Sequence, residues 1–380
     1  MSLFLFLTLT SLFALIIIIF KGFKGKQLPA AVMLSLLLFV SGYAATTSIF
    51  LSREDARFVP ELTREPGDPG DGHTAVIYFT HGEPPTYDPI SWINQFKEFD
   101  EQGIDFIPFL VRPYFVYLLR NAYLRVGESH HRQMHTQMLQ SLETAYRQEG
   151  DDTTQFYISF LDDEPRPDAA VIQALNEGAS RIVVSEVFLT ISNHTAEGEN
   201  LIKEVNVENY GASLAFTGPM WDSEGLRQMF VERANENIGD TDKSKVGVLL
   251  VGHGQPDEWD VHWATETEQE IAFRQEVLNL FAEDGYNEEN LSLAWMSFKE
   301  PQPAEKVEEF FQNGIEKLVF YSAAISADSI HSQYDIPEMV YEADIPEDIP
   351  ILNLGAWNDD PLVIEAIKKK IDEAMLAAGN

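Results

Sequence analysis

Two copies of a short motif, His-Gly-x-Pro, follow apolar runs that are rich in β-branched residues. The runs with their motifs read TAVIYFTHGEPPTYD over residues 74–88 and KVGVLLVGHGQPDEWD over residues 245–260, and they place His81 and His253 directly after a predicted strand. Neutral imidazole binds divalent transition metals and titrates at about pH 6.5. One such side chain can therefore bind a metal ion and also accept a proton.

A second pair of histidines, His194 and His331, repeats with similar spacing. The segments FLDDEPRPDAAVIQALNEGASRIVV and SFKEPQPAEKVEEFFQNGIEKLVF both predict the end of a strand, an amphipathic helix and a buried strand that leads to a histidine. The interval from Glu-Pro to that histidine is 30 residues in one half and 31 in the other, and a glycine follows 24 residues later in both halves. A lone histidine after a strand is more often structural, but repetition in both halves of a duplicated chain favours a function.

Strands that alternate with helices predict parallel sheets with helices on both faces. We therefore expect an α/β protein with two similar Rossmann-like lobes, over residues 74–240 and 245–380, and a ligand crevice at the carboxyl ends of the strands. The first half contains about 36 additional residues, among them the apolar and aromatic stretch 106–124. Two interpretations of this stretch stay open: core packing, or an apolar lip for a flat hydrophobic ligand or a membrane surface.

The N-terminal segment has the composition of membrane-spanning helices. Residues 3–20 and 28–52 form two uncharged, apolar runs, each long enough to cross a hydrocarbon core of about 30 Å as a helix. A cleaved signal peptide is the competing interpretation, but no basic residue precedes the first run and a second run follows. We expect residues 1–52 to form a transmembrane hairpin of two helices, and residues 53–73, rich in Pro, Gly and charge, to be a linker. Basic residues flank the second run equally on both sides, so the side of the membrane that holds the lobes stays open.

The composition excludes several classes of function. The chain has 61 acidic and 26 basic residues, and its net charge of −35 repels nucleic acid. It contains no cysteine for thiolate metal sites or nucleophiles, and it lacks the glycine-rich phosphate loops and the Gly-x-Ser-x-Gly motif. His130, His131 and His135 have no nearby carboxylate to complete a metal site, and we interpret them as a solvated helix face.

The motifs around the histidines resemble those of the class II tetrapyrrole metal chelatases, which comprise ferrochelatase and the sirohydrochlorin cobalto- and ferrochelatases. LLVGHGQPDE, residues 249–258, lies where ferrochelatases have Ser-Ala-His-Ser-x-Pro, which places His253 on the metal-inserting histidine of the family. ISADSIHSQYDIP, residues 325–337, resembles the later segment with Asp-His-x-Glu, but His331 stands where that segment has glutamate. Sirohydrochlorin chelatases have a histidine followed by Asp-Ile-Pro there, as this chain does. The resemblance covers about residues 74–380.

This resemblance implies an enzyme that inserts a divalent metal, iron or else cobalt or nickel, into a tetrapyrrole ring. The metal is then a substrate, and no organic cofactor is expected. Removal of two pyrrole protons suits a histidine pair that is backed by carboxylates. We expect His253 and His331 to be the catalytic, metal-binding pair, with His81 and His194 as further metal ligands. The possible proton relay consists of the carboxylates Asp257, Glu258 and Asp335.

The main alternative is a membrane-tethered carrier that binds heme, another tetrapyrrole or a metal without turnover. The same histidines would serve as its ligands, and the exchange of glutamate for His331 would then reflect lost catalysis. The carboxylates that follow His253 have a similar second interpretation, as a solvated acidic loop. A carrier would retain its ligand through purification, whereas an enzyme would release metallated product.

Overall fold

The described part of the chain divides into two compact units. The computed structural model describes residues 10–17, 21, 27–53, 57–101, 107–192 and 195–378. One unit comprises residues 1–56 and 88–121, and the other comprises residues 57–87 and 122–380. The second unit contains every described strand, and therefore both predicted lobes.

The first unit is helical. Its helices are α1 (Gln27–Leu51), α2 (Pro89–Glu101) and the start of α3 (Arg112–Val126), and residues 10–17 are helical as well. Within α1, the stretch Leu28–Leu51 is long and apolar enough to cross a membrane, by length and composition only. The predicted hairpin is not confirmed, because much of its first helix lies outside the described residues.

The additional apolar stretch of the first half contributes α3 to this unit. Arg112, at the start of α3, is buried and donates hydrogen bonds to the carbonyl of Ile107 at 3.1 Å and to Asp100 at 2.7 Å. Other side chains of the stretch are not core residues, since Phe109 and Tyr114 are 40% and 58% exposed. Core packing therefore explains only part of the stretch.

The first lobe is a four-stranded parallel sheet in the order β2-β1-β3-β4. Its strands are β1 (Thr74–Thr80), β2 (Gln155–Phe160), β3 (Arg181–Glu186) and β4 (Ser213–Phe216). The run of β-branched and aromatic side chains in β1 is apolar on both faces, as a central parallel strand requires, and six of its seven residues are buried. His81 therefore emerges at the carboxyl end of a central strand.

The second lobe repeats this topology in the order β6-β5-β7-β8, again with all strands parallel. Its strands are β5 (Val246–Gly252), β6 (Leu291–Trp295), β7 (Lys317–Ser322) and β8 (Ile351–Asn353). His253 follows β5 as His81 follows β1. The prediction of two similar parallel sheets is confirmed.

Helices join the strands of both lobes. Those of the first lobe are α4 (His131–Gln148), α5 (Pro167–Asn176), α6 (Thr195–Glu204) and α7 (Glu224–Asn237). Those of the second are α8 (Asp257–Glu283), α9 (Pro303–Gln312), α10 (Ile336–Tyr341) and α11 (Pro361–Ala378). The related helices α5 and α9 both begin with a proline, whose fixed φ suits the first turn.

The last helix of each lobe packs against the other lobe. Phe230 of α7 contacts Tyr321 of β7 and Phe273 of α8, with ring centroids 5.0 and 5.8 Å apart. In return α11 packs on β3 and β4, and Asp372 of α11 accepts a hydrogen bond from Tyr146 of α4 at 2.6 Å. One hydrophobic cluster consequently includes side chains from both sheets.

Residues 57–73, expected to be a linker, lie against the first lobe. The buried guanidinium of Arg64 donates to the carbonyl of Leu175, in the last turn of α5, at 3.3 Å, and to the carbonyl of Ala179, just after the helix. The backbone N–H of Asp71 donates to the carbonyl of Gly178 at 3.0 Å. Helix ends leave carbonyls without intrahelical partners, and this segment satisfies them. It is thus part of the lobe rather than a free tether.

Candidate active site

Two histidines of the second lobe face each other. His253 follows β5 directly, and His331 begins a π-helical turn, His331–Asp335, on the connection after β7. Their ring centroids are 5.6 Å apart, with an angle of 70° between the ring planes. Because metal–imidazole bonds are about 2.1 Å long, rings at this separation can approach one ion. Single π-helical turns are frequent at functional sites.

The hydrogen bonds of these rings define which nitrogen can bind a metal. Nδ1 of His253 lies 2.7 Å from the carbonyl oxygen of Gly254, and Nδ1 of His331 lies 2.7 Å from Oδ2 of Asp335. Carbonyl and carboxylate oxygens only accept, so Nδ1 carries the hydrogen in both rings. The lone pair of each neutral ring is then on Nε2, as in metal sites where a second group orients the ligand.

The charge of His331 is controlled by neighbouring carboxylates. Burial opposes its charged form, but Asp335 and, further away, Glu83 raise its pKa above the ordinary value. Its side chain is 34% exposed and that of Asp335 is 36% exposed. This imidazole therefore accepts a proton more readily than a free one.

His81 of the first lobe has the same local arrangement. Its Nδ1 lies 3.0 Å from Oδ2 of Asp162, a carboxylate whose side chain is only 6% exposed. Burial opposes protonation of His81, but Asp162 raises its pKa overall. A positive charge on His81 in turn lowers the pKa of His331. Protonation of the first-lobe histidine therefore disfavours protonation of the second-lobe one. His194 lies outside the described residues.

The carboxylates of the predicted relay differ in their surroundings. Asp335 contacts His331 directly. Asp257, at the first residue of α8, has a side chain that is 87% exposed and forms an ion pair with Lys299 at 3.1 Å. The side chain of Glu258 is not among those described. Of the three predicted carboxylates, Asp335 thus contacts a histidine and Asp257 faces solvent.

A buried carboxylate beneath His253 is a site residue that the sequence pattern did not indicate. Oε1 of Glu270, on α8, accepts the backbone N–H of His253 at 2.9 Å. The guanidinium of Arg274 lies 3.6 Å from this oxygen and donates to main-chain carbonyls of β5 and β6 at 3.1 and 2.7 Å. Both side chains are at most 1% exposed. Together they hold the backbone that carries His253.

A second acid, Glu266, lies one turn earlier on α8. Burial and the neighbouring charges of Glu270 and Asp260 raise its pKa to about 8, so it is protonated at neutral pH.

The sequence signal that could have indicated these buried acids is Gly252, because a glycine at the end of a strand often marks the close approach of another group.

The solvated face predicted for the α4 histidines is wrong for His131 and His135, which are 4% and 0% exposed. Nδ1 of His135 lies 2.9 Å from the hydroxyl of Tyr78, and its Nε2 lies 3.1 Å from Thr80 and 3.3 Å from Ser326 of the second lobe. Burial lowers its pKa to about 3, which keeps the ring neutral. Hydroxyls from both lobes thus satisfy His135, which lies on the same face of α4 as the buried Met138 and Leu142.

Across the described residues, no group of three or more His, Asp or Glu side chains is arranged to hold a metal ion by itself. His194 and the side chains of Glu258 and His262 are not part of that set. The described site is therefore a pair of histidines with orienting acceptors. A substrate that supplies its own ligands could complete the coordination of an ion held by such a pair.

Comparison with known proteins relates this site to a family. The sequence model of the ferrochelatase family matches residues 74–375. A sirohydrochlorin cobaltochelatase of Methanothermobacter thermautotrophicus is 29% identical over 101 residues, which are 26% of this chain and 59% of the relative. The chain thus spans less than two thirds of the curated relative that it matches.

Solved structures show the same fold. SirB from Bacillus subtilis, solved with Fe³⁺, has a TM-score of 0.51 at 15% identity and covers 81% of this chain and 98% of its own. A multi-domain protein of Deinococcus radiodurans, described as structurally similar to chelatases, has a TM-score of 0.50 at 13% identity. That comparison covers 80% of this chain and 55% of the other.

Proposed function

The chain belongs to the ferrochelatase family, and from this premise we propose that it inserts a divalent metal ion into a tetrapyrrole ring. The observation that carries the proposal is the facing pair His253 and His331, with rings 5.6 Å apart and with an acceptor at Nδ1 of each ring. The metal ion and the tetrapyrrole are the substrates, and the proposed reaction needs no organic cofactor.

Insertion exchanges one divalent ion for two pyrrole protons, so the site must bind the ion and then accept protons. Metal binding and protonation both use the lone pair on Nε2. In the proposed reaction His253 binds the incoming ion and takes up a pyrrole proton as the ion moves to the ring. His331 is its partner, and Asp335 stabilises the protonated form of His331 through the hydrogen bond at 2.7 Å.

The first-lobe histidines have a supporting role in this proposal. His81 and His194 guide the metal ion or line the crevice, and Asp162 orients His81 as Asp335 orients His331. Asp335 is the first carboxylate of the proton relay, Glu258 is a further member, and Asp257 leads toward solvent at the amino end of α8. The high exposure of Asp257 supports that direction.

We propose iron or cobalt as the metal. The curated relative is named as a cobaltochelatase that acts on sirohydrochlorin, and SirB was solved with Fe³⁺. The family as a whole takes its name from iron. The purified chain should therefore be offered protoporphyrin and sirohydrochlorin, each with Fe²⁺, Co²⁺ and Ni²⁺, and insertion should be followed by the absorption spectrum of the ring.

Substitution of the histidine pair tests the assignment. His253→Ala and His331→Ala should each lower the insertion rate by about 10²–10⁴-fold, the usual effect of losing a positioned general base. His81→Ala should lose less, and His73→Ala, on the segment before β1, is a matched control that should keep the wild-type rate. A wild-type rate in His253→Ala would contradict the assignment. Tetrapyrrole that stays bound to the wild type, without insertion for any metal, would favour a carrier instead.

We also propose that the N-terminal segment anchors the protein in a membrane as a helical hairpin. Support comes from α1, whose apolar stretch of 24 residues would be about 36 Å long. Only 6% of its most apolar window is buried inside the protein, as a helix that contacts lipid requires. The proposed first helix of the hairpin comprises the uncharged run of residues 3–20.

A further inference from the structure

Glu83 of the first lobe binds the segment of the second lobe that carries His331. Its Oε1 accepts the backbone N–H of Ile330, the residue before His331, at 2.9 Å. The same oxygen accepts the hydroxyl of Ser129, at the amino end of α4. One carboxylate oxygen therefore joins three pieces of chain that are far apart in sequence: the loop after β1, the start of α4 and the π-helical turn.

Gln333 makes a second bridge at the same place. Its Oε1 accepts the backbone N–H of His130 at 3.0 Å, and its Nε2 donates to the carbonyl of Glu128 at 3.2 Å. Gln333 lies within the π-helical turn, so both ends of the contact are polar groups of short, irregular segments. Glu83 and Gln333, which we name the clasp, are the side chains that tie the residues around Ser129 to the residues around His331.

The clasp acts on an irregular segment of the second lobe. The connection from β7 to α10 contains the π-helical turn and no complete α-helical turn before residue 336. Local hydrogen bonds alone hold such a segment less firmly than a helix. His331 must keep its ring within about 0.5 Å of a productive position if it is to share an ion with His253. Groups from outside the segment fix it: Asn358 of the same lobe accepts the N–H of Asp328, and Glu83 of the first lobe accepts the N–H of Ile330, both at 2.9 Å.

We propose that Glu83 is a positioning residue of the insertion reaction, which acts through His331 by fixing the π-helical turn of the second lobe against the first lobe. This inference rests on the proposed function of His331 as a metal-binding residue. Residues that orient metal ligands from outside the coordination shell usually change metal affinity or activity by about 10–100-fold when they are lost.

The duplicated half supports a special role for this position. In the second lobe the matching residue of His-Gly-x-Pro is Gln255, and its amide donates to Asp260 of its own lobe at 2.6 Å. The same position of the motif thus has different hydrogen-bond partners in the two lobes, and Glu83 is the one that binds the N–H of Ile330 in the other lobe.

Substitutions of Glu83 can separate the effect of its hydrogen bonds from the effect of its negative charge. Both hydrogen bonds of Glu83 end on the same oxygen, Oε1, and a glutamine side chain also has an Oε1 that accepts two hydrogen bonds. Glu83→Gln should therefore keep the clasp and remove the negative charge, whereas Glu83→Ala removes both. Gln333→Ala breaks the other half of the clasp, and Glu128→Ala removes an exposed carboxylate of the same loop as a control.

The experiment measures amide hydrogen exchange of residues 326–337 and the insertion rate for all four full-length variants. We expect Glu83→Ala to exchange faster in this segment and to insert metal about 10–100-fold more slowly. Gln333→Ala should change both quantities in the same direction. Glu83→Gln and Glu128→Ala should match the wild type in exchange, and Glu83→Gln should stay within about threefold of its rate.

Two results would overturn the inference. Unchanged exchange in Glu83→Ala would show that the contact does not hold the turn. Equal loss of insertion in Glu83→Gln and Glu83→Ala would show that the charge matters and the position does not. If the wild type inserts no metal at all, the proposed function fails, but the exchange measurement still decides whether the clasp fixes the turn.

Discussion

Replacement of Gly252 by alanine tests the packing beneath His253. Gly252 ends β5, and a Cβ atom at this position would lie 2.6 Å from Nη1 of Arg274 and closer still to Oε1 of Glu270. Both partners are almost completely buried and cannot move into solvent. Glycine is therefore required here, although the residue at the end of β1 in the first lobe is Thr80.

The expected cost follows from these contacts. Overpacking of a dense interior by one methyl group costs about 1–3 kcal/mol. Displacement of Arg274 or Glu270 would also weaken hydrogen bonds to two carbonyls or to the N–H of His253, at about 1 kcal/mol each. We expect Gly252→Ala to lower the free energy of unfolding by about 3 kcal/mol, and to lower the insertion rate because the backbone of His253 shifts.

Urea unfolding, followed by circular dichroism, measures this loss. The midpoint urea concentration should fall, and the slope of the unfolding free energy against urea concentration should stay the same. Gly225→Ala is the matched control, because its Cβ would have its nearest neighbours at 3.5 Å, an ordinary contact on α7. That variant should be as stable as the wild type or up to about 1 kcal/mol more stable. A Gly252→Ala variant within about 0.5 kcal/mol of wild type would refute the packing of Glu270 and Arg274 against β5.

Two further predictions concern pH and the membrane. Asp335 raises the pKa of His331, and metal binding requires the neutral ring, so insertion by the wild type should rise as pH increases through that raised pKa. In Asp335→Asn the pKa of His331 falls, and the acidic limb of the pH–rate profile should move to lower pH; an unmoved limb would exclude His331 as the titrating group. The full-length protein should stay with membranes after a carbonate wash, whereas a chain that starts at Arg57 should be soluble. Full-length protein in the wash supernatant would contradict an anchor in α1.

The duplication explains why much of the fold was predictable. Apolar runs before His81 and His253 correspond to β1 and β5, and equal spacings in the two halves correspond to equal strand orders. Alternation of strand and helix along the chain is a local pattern, and parallel sheets follow from it. The same pattern could not indicate that α7 and α11 exchange lobes, because an amphipathic helix can cover either sheet.

The site was predictable only where a residue's partner lies close to it in the sequence. His331 and Asp335 are four residues apart, and their hydrogen bond lies within one turn. Glu83 and Ile330 are 247 residues apart, and no periodicity links them. The burial of Glu270 could not be predicted either, since α8 is rich in acidic residues and a helix of that composition usually faces water.

The exchange of α7 and α11 has a consequence for how the molecule can open. If the two lobes were independent, a hinge could separate them and release a product by rigid rotation. Here each lobe supplies a helix to the apolar core of the other, as in a domain-swapped dimer whose two copies have been fused. Rotation would expose side chains such as Phe230, so this shared core opposes separation of the two lobes. In the proposed reaction, a ring would then have to enter and leave without separation of the two lobes at this core.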